Sequence, residues 1–497
     1  MSFQPQFPSW LRQIERGAWV IGLLFVLILP AANPRVYATD EVQYYVYLRS
    51  LRFDGDLNFE NEYRELARRN PKSGIDGSLL QPNRIREKTG LYGNIAPVGC
   101  ALMWAPFFLL ADGGVQVANL LGAQIPADGY SKPYILAVCY ASALYGLAGL
   151  LLCRRLARRY ASEQAATFAT IALWLASPLV FYMFIQMPFA HSTGFFLTSL
   201  FLTIWHATRA KRTMRMWLAL GVVGALMTMA REQLGLFLLL PALDLLGMLW
   251  RAIRHAEWAV LWRQSGLASL FAVAFVLGLT PQIAAYQVLN GEPRPAGEVS
   301  GRINWCSPHL IDTLIDYNPA PSSWCNTVGD FTASFPPFSR GAFVWSPLQL
   351  VGLLGLALLW KRDRGLGLAL AAVFFAQSYI NGAYGTTWHL RGAFGFRRLI
   401  ECTPLFVLGL ALLLDTTAPR LGRFGWWWLA LPLALLVIWN AGLILNATFF
   451  ESETNLRRIG LIWPETWAWQ AELPFKLAER LNEIVFERCK FLQNGQC

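Results

Sequence analysis

Two adjacent carboxylates, Asp40 and Glu41, follow directly on the first apolar run of the chain, "AWVIGLLFVLILPAA". A loop that only connects two helices does not need two acids at the lipid surface. Ionisable groups near the hydrocarbon boundary are costly, and those found there usually serve a function. We therefore predict that Asp40 and Glu41 are catalytic residues.

The same pair has a structural interpretation. Thr39 can cap a helix that begins at Asp40, and acidic side chains in a first helical turn offset the helix dipole. Apolar residues between Val42 and Phe53 suit an amphipathic helix that lies on the membrane surface. Because capping accounts for only one of the two acids, the functional interpretation of Asp40 is favoured.

Other unusual polar residues also lie where apolar runs end. His191 follows "QMPFA", and Arg231 and Glu232 interrupt the apolar block 216–250. The stretch "WHLRGAFGFRRL" carries three arginines, Arg391, Arg397 and Arg398. These residues are distant in sequence, but the topology derived below places all of them at one membrane depth.

The arginines indicate an anion site. The guanidinium fork fits phosphate oxygens, and neighbouring glycines let the backbone approach closely. We predict four phosphate-binding residues: Arg231, Arg391, Arg397 and Arg398. We further predict three substrate-binding residues: His191, Tyr44 and His389. Simpler roles stay open, since Arg231 and Glu232 also suit a solvated hairpin tip, and His191 suits an interfacial hydrogen-bonding residue.

A metal site has weak support. Asp54 and Asp56 in "DGD" are candidate ligands of a divalent cation, but Asp-Gly is also a common turn, which is the favoured interpretation. The eight cysteines contain no CxxC, and the five histidines are far apart, so the sequence gives little support to a zinc site. A divalent cation is therefore an open possibility and no cofactor is certain.

Composition indicates the elements that must hold these residues. Of the 497 residues, 55% are hydrophobic and only 15% are charged, against about a quarter charged in soluble domains. Repeated apolar runs of roughly 17–25 residues are typical of a polytopic membrane protein. The net charge of +11 arises from Lys and Arg at the ends of these runs, so it reports topology and not nucleic-acid binding.

Lys and Arg at the ends of apolar runs are expected on the cytoplasmic side of the membrane. This rule predicts an all-α protein with about eleven transmembrane helices. The predicted spans are 17–33, "YILAVCYASALYGLAGLLLC", 164–184, 190–208, two arms of 216–250 with Arg231 at their outer tip, 265–289, 346–360, 365–381, 399–415 and 425–447. Residues 94–111 contain two prolines, and a span there would place "RRLARRY" outside. We therefore predict a re-entrant or surface-lying helix at 94–111.

This topology defines the domain organisation. A transmembrane core, 1–447, carries a first outer loop at 34–131 and a second at 290–345, and an outer tail covers 448–497. The first run also resembles a signal peptide ending at "VYA", although a retained helix is favoured. Outer cysteines can oxidise, so we predict a disulfide between Cys306 and Cys325 and a second between Cys489 and Cys497. Four cysteines in or near apolar helices should stay reduced: Cys100, Cys139, Cys153 and Cys402.

The stretches "TDEVQYY", "GNIAPVGCALMWAPFF" and "WHLRGAFGFRRL", with the long first loop, resemble the GT-C superfamily of integral membrane glycosyltransferases. Protein O-mannosyltransferases and lipid A aminoarabinose transferases are similar by pattern. The likeness in topology covers most of the chain, whereas the likeness in motifs covers only these pieces. The chain lacks the extra luminal domain of the eukaryotic mannosyltransferases, so the acceptor is not carried over.

The resemblance implies an inverting transfer of a sugar from a polyprenyl-phosphate donor to a glycan, lipid or protein acceptor. Asp40 matches the catalytic carboxylate, which takes a proton from the acceptor, and the arginines would bind the donor phosphate. The expected location is the bacterial inner membrane, in contact with membrane lipid and with the active site facing the periplasm or cell exterior. Two other classes stay open: a lipid or saccharide transporter or flippase, and a non-catalytic protein of envelope polysaccharide assembly.

Overall fold

The computed structural model describes residues 15–209, 211–296, 303–315, 340–384 and 387–487. These residues form helices and no named strand, with isolated antiparallel bridges at Ile85–Tyr92 and Ile303–Tyr384. The α-helices are α1 Arg16–Ile28, α2 Thr39–Arg49, α3 Glu60–Arg69, α4 Gly99–Leu120, α5 Lys132–Ala157, α6 Glu163–Leu175, α7 Pro178–Phe184, α8 Ala190–Thr208, α9 Met214–Ala230, α10 Leu239–Arg254, α11 Trp258–Gly278, α12 Thr280–Asn290, α13 Ala342–Trp345, α14 Pro347–Gly355, α15 Leu359–Arg362, α16 Arg364–Ala383, α17 Thr403–Thr417, α18 Gly425–Phe449, α19 Glu451–Thr454, α20 Leu456–Ile459, α21 Trp463–Glu479 and α22 Leu481–Phe486. A π-helix covers Ser50–Asp54, and 3-10 helices cover Leu29–Ala31, Pro82–Arg84, Glu232–Leu238, Leu356–Leu358, Arg397–Cys402 and Ala418–Phe424.

The predicted class, an all-α multi-pass membrane protein, is confirmed. Within the described residues, six helical segments are long and apolar enough to cross a membrane, or seven if the bent pair α6 and α7 is one span. Large apolar side chains of α18 are exposed, as lipid contact requires: Trp427, Trp428, Leu431, Leu435 and Ile438. The predicted count of eleven spans is not confirmed, because segments such as Arg16–Ala31 and Met214–Ala230 are shorter.

The stretch predicted as a re-entrant helix at 94–111 differs from the observed element. Helix α4 begins at Gly99 and continues for 22 residues through Pro106, which makes it a candidate span. Residues Asn94–Val98 before it are irregular. Tyr47 of α2 donates from its hydroxyl to the carbonyl of Ala96 at 3.1 Å, and the side-chain amide of Asn94 donates to the carbonyl of Gln43 at 2.8 Å. These bonds fix the irregular segment against α2.

The predicted span 164–184 is broken at its centre. Helices α6 and α7 meet at an angle of 70°, with Ser177 and Pro178 at the junction. A proline disfavours helical geometry in the residue before it, which explains the break. Asn440 of α18 donates its side-chain amide to the freed carbonyls of Leu175 and Ser177, at 2.8 and 3.1 Å. The bend is therefore stabilised by hydrogen bonds where no water is expected.

The helix ends sort into two groups at opposite ends of the bundle. One group, here called the basal end, joins the ends of five helices through ion pairs. Arg154 of α5 contacts Glu15 at 2.6 Å and Glu163 at 2.8 Å. Arg209, after α8, contacts Asp363 at 3.0 Å, immediately before α16. Two further ion pairs continue this layer: Arg212, before α9, contacts Asp244 of α10, and Arg362 of α15 contacts Asp415 of α17.

The other group, here called the cavity end, includes the opposite ends of α8, α9 and α17 and the start of α2. Asp40 lies at the start of α2, His191 at the start of α8, and Arg231 directly after α9. The 3-10 helix Arg397–Cys402 leads into α17. Sequence reasoning placed these residues at one depth, and the structure gathers them at one end.

Close glycine contacts set how two pairs of helices pack. A Cβ atom on Gly355 of α14 would lie 2.1 Å from the carbonyl oxygen of Gly409 on α17, so the two backbones touch. A Cβ atom on Gly99 would lie 2.4 Å from the backbone of Met229, near the end of α9. Because larger residues do not fit there, these glycines fix how α14 packs on α17 and how α4 packs on α9.

The cysteine predictions hold wherever the described residues test them. Cys306 is disulfide-bonded, and the four cysteines predicted to stay reduced are free and buried. The proposed partner Cys325, and the pair Cys489 and Cys497, lie outside the described residues.

We expect Cys306→Ser to lower the free energy of unfolding by about 2–5 kcal/mol, because the bridge restricts the unfolded chain. The measurement is thermal unfolding in detergent with and without reductant. Reductant should destabilise the wild type more than the variant, because the variant retains only the predicted bridge between Cys489 and Cys497. Maleimide labelling of Cys306 without reductant would contradict the assignment.

Candidate functional site

A cavity of about 400 Å³ opens at the cavity end of the bundle. Eight residues that the sequence singled out line it: Asp40, Tyr44, His191, Arg231, His389, Arg391, Arg397 and Arg398. They come from α2, α8, the end of α9 and the segment 387–398. The lining also includes residues that sequence reasoning did not select, among them Gln43, Arg84, Phe189, Gln233 and Tyr384.

The charge of the cavity wall is strongly positive. Among the described residues, five arginines line it against one carboxylate, that of Asp40: Arg84, Arg231, Arg391, Arg397 and Arg398. Arginine side chains that converge on a partly buried space concentrate positive potential there. The arrangement can therefore bind an anion and hold a carboxylate beside it.

Asp40 is oriented by an ion pair. Arg397 donates from Nη2 to Oδ2 of Asp40 at 2.7 Å, and its guanidinium lies 4.8 Å from the ring centre of Phe189. The Asp40 side chain remains 38% exposed, so the carboxylate is accessible from the cavity. The π-face of Phe189 supports the cation from the other side. The pair thus fixes the direction of Asp40 without burying it.

Glu41, the second residue predicted to be catalytic, does not line the cavity. Its Oε2 accepts hydrogen bonds from the backbone amides of Tyr37 at 2.7 Å and Ala38 at 2.9 Å, and the side chain is buried away from the cavity. Glu41 therefore caps α2, which begins at Thr39 with Ala38 as its N-cap. Burial raises the pKa of Glu41, against the opposing effects of Arg35 and of these two bonds. Thr39, the cap in the structural interpretation of the acidic pair, is instead the first residue of the helix.

We expect Glu41→Ala to lower the free energy of unfolding by about 1–3 kcal/mol, because two partly buried amides lose their acceptor. The rate of reaction per folded molecule should change little, since Glu41 does not reach the cavity. Glu41→Gln retains an acceptor oxygen and serves as the matched control, with a smaller loss. A large fall in turnover for Glu41→Gln at normal stability would restore the catalytic role.

Arg231 is held by a buried carboxylate that the sequence analysis missed. Its Nη1 donates to Oε1 of Glu401 at 2.8 Å and lies 2.8 Å from Nδ1 of His191. Glu401 and His191 are both buried, and Nδ1 of His191 is 3.1 Å from the same oxygen. A lone acid inside the apolar run "LIECTPLFVLGLALLL" was the available signal, because ionisable residues in such runs are usually functional.

Arg398 is distinctive because one of its guanidinium nitrogens has no hydrogen-bond partner among the described residues. Nη2 donates to the hydroxyl of Thr387 at 2.7 Å, and the group lies 4.6 Å from the ring centre of Tyr384. Its Nη1 is buried and has no hydrogen-bond partner among the described residues. Buried donors are nearly always satisfied, so this atom marks where an anion can bind.

The segment between Trp388 and Phe396 is fixed from behind by Arg340. This buried arginine donates to the carbonyls of Leu390 at 2.8 Å and Arg457. Burial lowers the pKa of Arg340 to about 10. Gly395 has φ +60, and a Cβ atom there would lie 2.5 Å from Pro178, so glycine is required at the turn. These constraints position Arg391, Arg397 and Arg398 at the cavity.

The two remaining substrate-binding candidates lie on the cavity wall. Tyr44 packs edge-on against Trp104, with ring centres 6.3 Å apart. His389 accepts a hydrogen bond at Nδ1 from the backbone amide of Arg391 at 3.0 Å. Both side chains can contact a bound molecule.

The candidate metal ligands Asp54 and Asp56 form a turn, as favoured, and do not line the cavity. Gly55 between them has φ +74, in the left-handed region. Asp54 pairs with Arg49, and Asp56 accepts from the hydroxyl of Ser50 at 2.9 Å. Among the described residues, no group of three or more His, Cys, Asp or Glu side chains is placed to hold a metal ion.

The fold and the cavity define a multi-pass helical membrane protein with a basic cavity at one end of its bundle. No model of a known protein family matches the sequence, and no curated protein sequence matches it. Among solved structures, the chain is similar to ArnT from Cupriavidus metallidurans in the apo state, with a TM-score of 0.43 and 16% identity. The match covers 88% of this chain and 65% of that chain, so this chain spans about 65% of that protein's length.

Proposed function

We propose that the protein is an inverting membrane glycosyltransferase that moves a sugar from a polyprenyl-phosphate donor to an acceptor on the outer side of the membrane. The observation that carries the proposal is the convergence of Asp40 with the arginines on one cavity. A flippase has no need of an oriented carboxylate beside an anion site. An assembly protein without catalytic activity has no need of either.

In the proposed reaction, the acceptor hydroxyl lies between Asp40 and C1 of the sugar. Asp40 takes the hydroxyl proton as the acceptor oxygen forms its bond to C1. The bond from C1 to the phosphate oxygen breaks on the opposite face, and its electron pair leaves with the polyprenyl phosphate. One direct displacement inverts the configuration at C1.

The ion pair with Arg397 supports this role for Asp40. The pair directs Oδ2 toward Arg397, and the exposed part of the carboxylate remains available to the acceptor. A base must reach the proton it removes, so orientation matters as much as basicity. Arg397 therefore acts on the proposed reaction by positioning Asp40.

The other arginines support the leaving group. Polyprenyl phosphate gains negative charge as the C1–oxygen bond breaks, and donors placed in advance stabilise that charge. Arg398 offers its unused Nη1, and Arg391 lines the same wall. The polyprenyl chain would extend between helices into the lipid.

We place the protein in the bacterial inner membrane with the cavity facing the periplasm or cell exterior. The support is the separation of charge along the bundle, because the basal end carries the basic clusters "RRLARR" and "RAKRTMR". With this orientation, residues 34–131 form one outer loop of the 1–447 core, in which α4 does not cross the membrane. Residues 290–345 form a second outer loop, and 448–497 form an outer tail.

The test is transfer by the purified full chain in lipid nanodiscs. Radiolabelled polyprenyl-phosphate sugars serve as donors, and lipid and glycan fractions of the envelope serve as acceptors. We expect label in one acceptor fraction and release of polyprenyl phosphate. Mass spectrometry of envelope lipids and glycans from a deletion strain identifies the missing sugar. Unchanged envelopes, together with movement of intact donor across the bilayer, would instead identify a flippase.

A further inference from the structure

His191, Glu401 and Arg231 form a closed triangle behind the cavity wall. Oε1 of Glu401 is 2.8 Å from Nη1 of Arg231 and 3.1 Å from Nδ1 of His191, and the third side, Arg231 to His191, is 2.8 Å. Glu401 is buried and does not line the cavity, whereas Arg231 and His191 do. The proposed reaction assigns no role to these three residues.

The short contact between the two nitrogens favours one position for the histidine proton. A guanidinium nitrogen donates but has no lone pair with which to accept. The 2.8 Å contact of Arg231 with Nδ1 is therefore attractive only if Nδ1 is bare. The carboxylate oxygen of Glu401 can only accept, so its 3.1 Å contact with Nδ1 by itself favours a proton there. The Arg231 contact is the shorter of the two, and Oε1 of Glu401 already accepts from Nη1 of Arg231, so the bare Nδ1 is the arrangement we adopt. A neutral imidazole with a bare Nδ1 carries its proton on Nε2.

The faces of the imidazole ring are also fixed. Phe189 stacks on it with a centroid distance of 5.8 Å and an interplanar angle of 15°, and Tyr182 lies 4.7 Å away. Since the Nδ1 edge faces Glu401 and Arg231, the opposite edge, which carries Nε2, is the one that reaches the cavity. No described residue forms a hydrogen bond with Nε2.

We propose that Glu401 and Arg231 hold His191 as a neutral imidazole whose Nε2–H is a fixed hydrogen-bond donor to a phosphate oxygen in the cavity. Glu401 and Arg231 are then positioning residues. Arg231 acts through His191 and through the charge it places near the anion. The identity of the phosphate group rests on the proposed function, whereas the state of the ring does not.

The state of the ring is tested without any ligand. Solid-state NMR of the full chain in lipid bilayers, with ¹⁵N-labelled histidine, reports both ring nitrogens of all five histidines. The His191→Gln spectrum identifies the signals of His191, and retention of the other four shows that the variant folds. We expect a protonated Nε2 and a bare Nδ1, unchanged from pH 5 to pH 8. A proton on Nδ1, or formation of the imidazolium in this range, would overturn the proposal.

Glu401→Gln tests the positioning role. The amide cannot form the ion pair that fixes Arg231, so we expect His191 to populate both tautomers. An unchanged single tautomer in this variant would show that Glu401 does not position the ring. Because Gln has nearly the shape of Glu, the other histidine signals report whether the fold is kept.

The ligand is tested with polyprenyl phosphate, and the neutral polyprenol is the control. We expect the phosphate, and not the alcohol, to shift the Nε2–H signal of His191. Binding observed by ³¹P NMR without this shift would overturn the role of His191. If polyprenyl phosphate does not bind at all, the proposed function is wrong, and so is the assignment of a phosphate oxygen as the acceptor of the Nε2–H hydrogen bond. The tautomer measured without ligand tests the state of the ring independently of that result.

The kinetic test compares two substitutions. His191→Phe removes the donor and keeps a planar ring, and we expect it to lower kcat about 10²-fold, as loss of one preorganised donor does. His191→Gln carries an amide donor on a side chain of similar reach and should recover part of that loss. Equal activity of the two variants would show that His191 only packs.

Discussion

Asp40→Asn should lower the rate of sugar transfer by about 10²–10⁴-fold, the usual contribution of a general base. Asparagine has the same shape, and its carbonyl oxygen can still accept from Arg397, so the cavity should keep its geometry. It cannot take the proton of the acceptor hydroxyl. The measurement is the single-turnover rate in nanodiscs at saturating donor, because donor binding should change less than chemistry.

The matched control for Asp40→Asn is Asp76→Asn. Asp76 lies in the same region of the chain, is exposed, and does not line the cavity. The control should retain the rate and the thermal stability of the wild type. Near wild-type turnover of Asp40→Asn, at equal membrane insertion, would remove Asp40 from the mechanism.

Substitution of Arg398 should give the second large effect. Arg231 and Arg397 each contact a carboxylate, whereas Nη1 of Arg398 is buried with no partner among the described residues. We expect Arg398→Ala to lower kcat/KM by about 10²–10³-fold through loss of one charged donor at the leaving phosphate. Arg398→Lys should recover only part of this, because a single ammonium cannot reach both Thr387 and the phosphate.

The control for Arg398 is Arg420→Ala, an exposed arginine outside the cavity. It should leave donor affinity unchanged. Binding of polyprenyl phosphate, measured by its protection against thermal unfolding, separates lost affinity from lost chemistry. If alanine at all four of the predicted arginines leaves donor affinity and rate intact, the phosphate binds elsewhere.

Several elements were predictable from local pattern. The span predicted at 190–208 matches α8, Ala190–Thr208, and the predicted break at Arg231 matches the end of α9 at Ala230. Apolar length and charged run ends decide these features, and both are local properties of the chain. The break at Ser177–Pro178 is also caused locally, by the proline. It was not predicted, because the apolar residues continue across the proline and indicate one unbroken span.

The candidate site was predictable only in part. The sequence selected eight residues that line the cavity, because unusual polar groups at one membrane depth are few. It did not distinguish Asp40 from Glu41, since which acid turns inward depends on helix phase and on where the helix begins. The amides of Tyr37 and Ala38 hold Glu41 as a cap, and Asp40 is left to face Arg397.

The sequence by itself determined that this is a helical multi-pass membrane protein whose acidic and basic residues collect at the helix ends. That follows because a lipid environment requires long apolar runs and leaves charges only at their boundaries. Tertiary structure alone decided which charges pair. Glu401 lies 170 residues from Arg231, and Arg397 lies 357 residues from Asp40. No local pattern encodes such pairs, because helix packing, set by contacts such as Gly355 on Gly409, chooses which boundary residues meet.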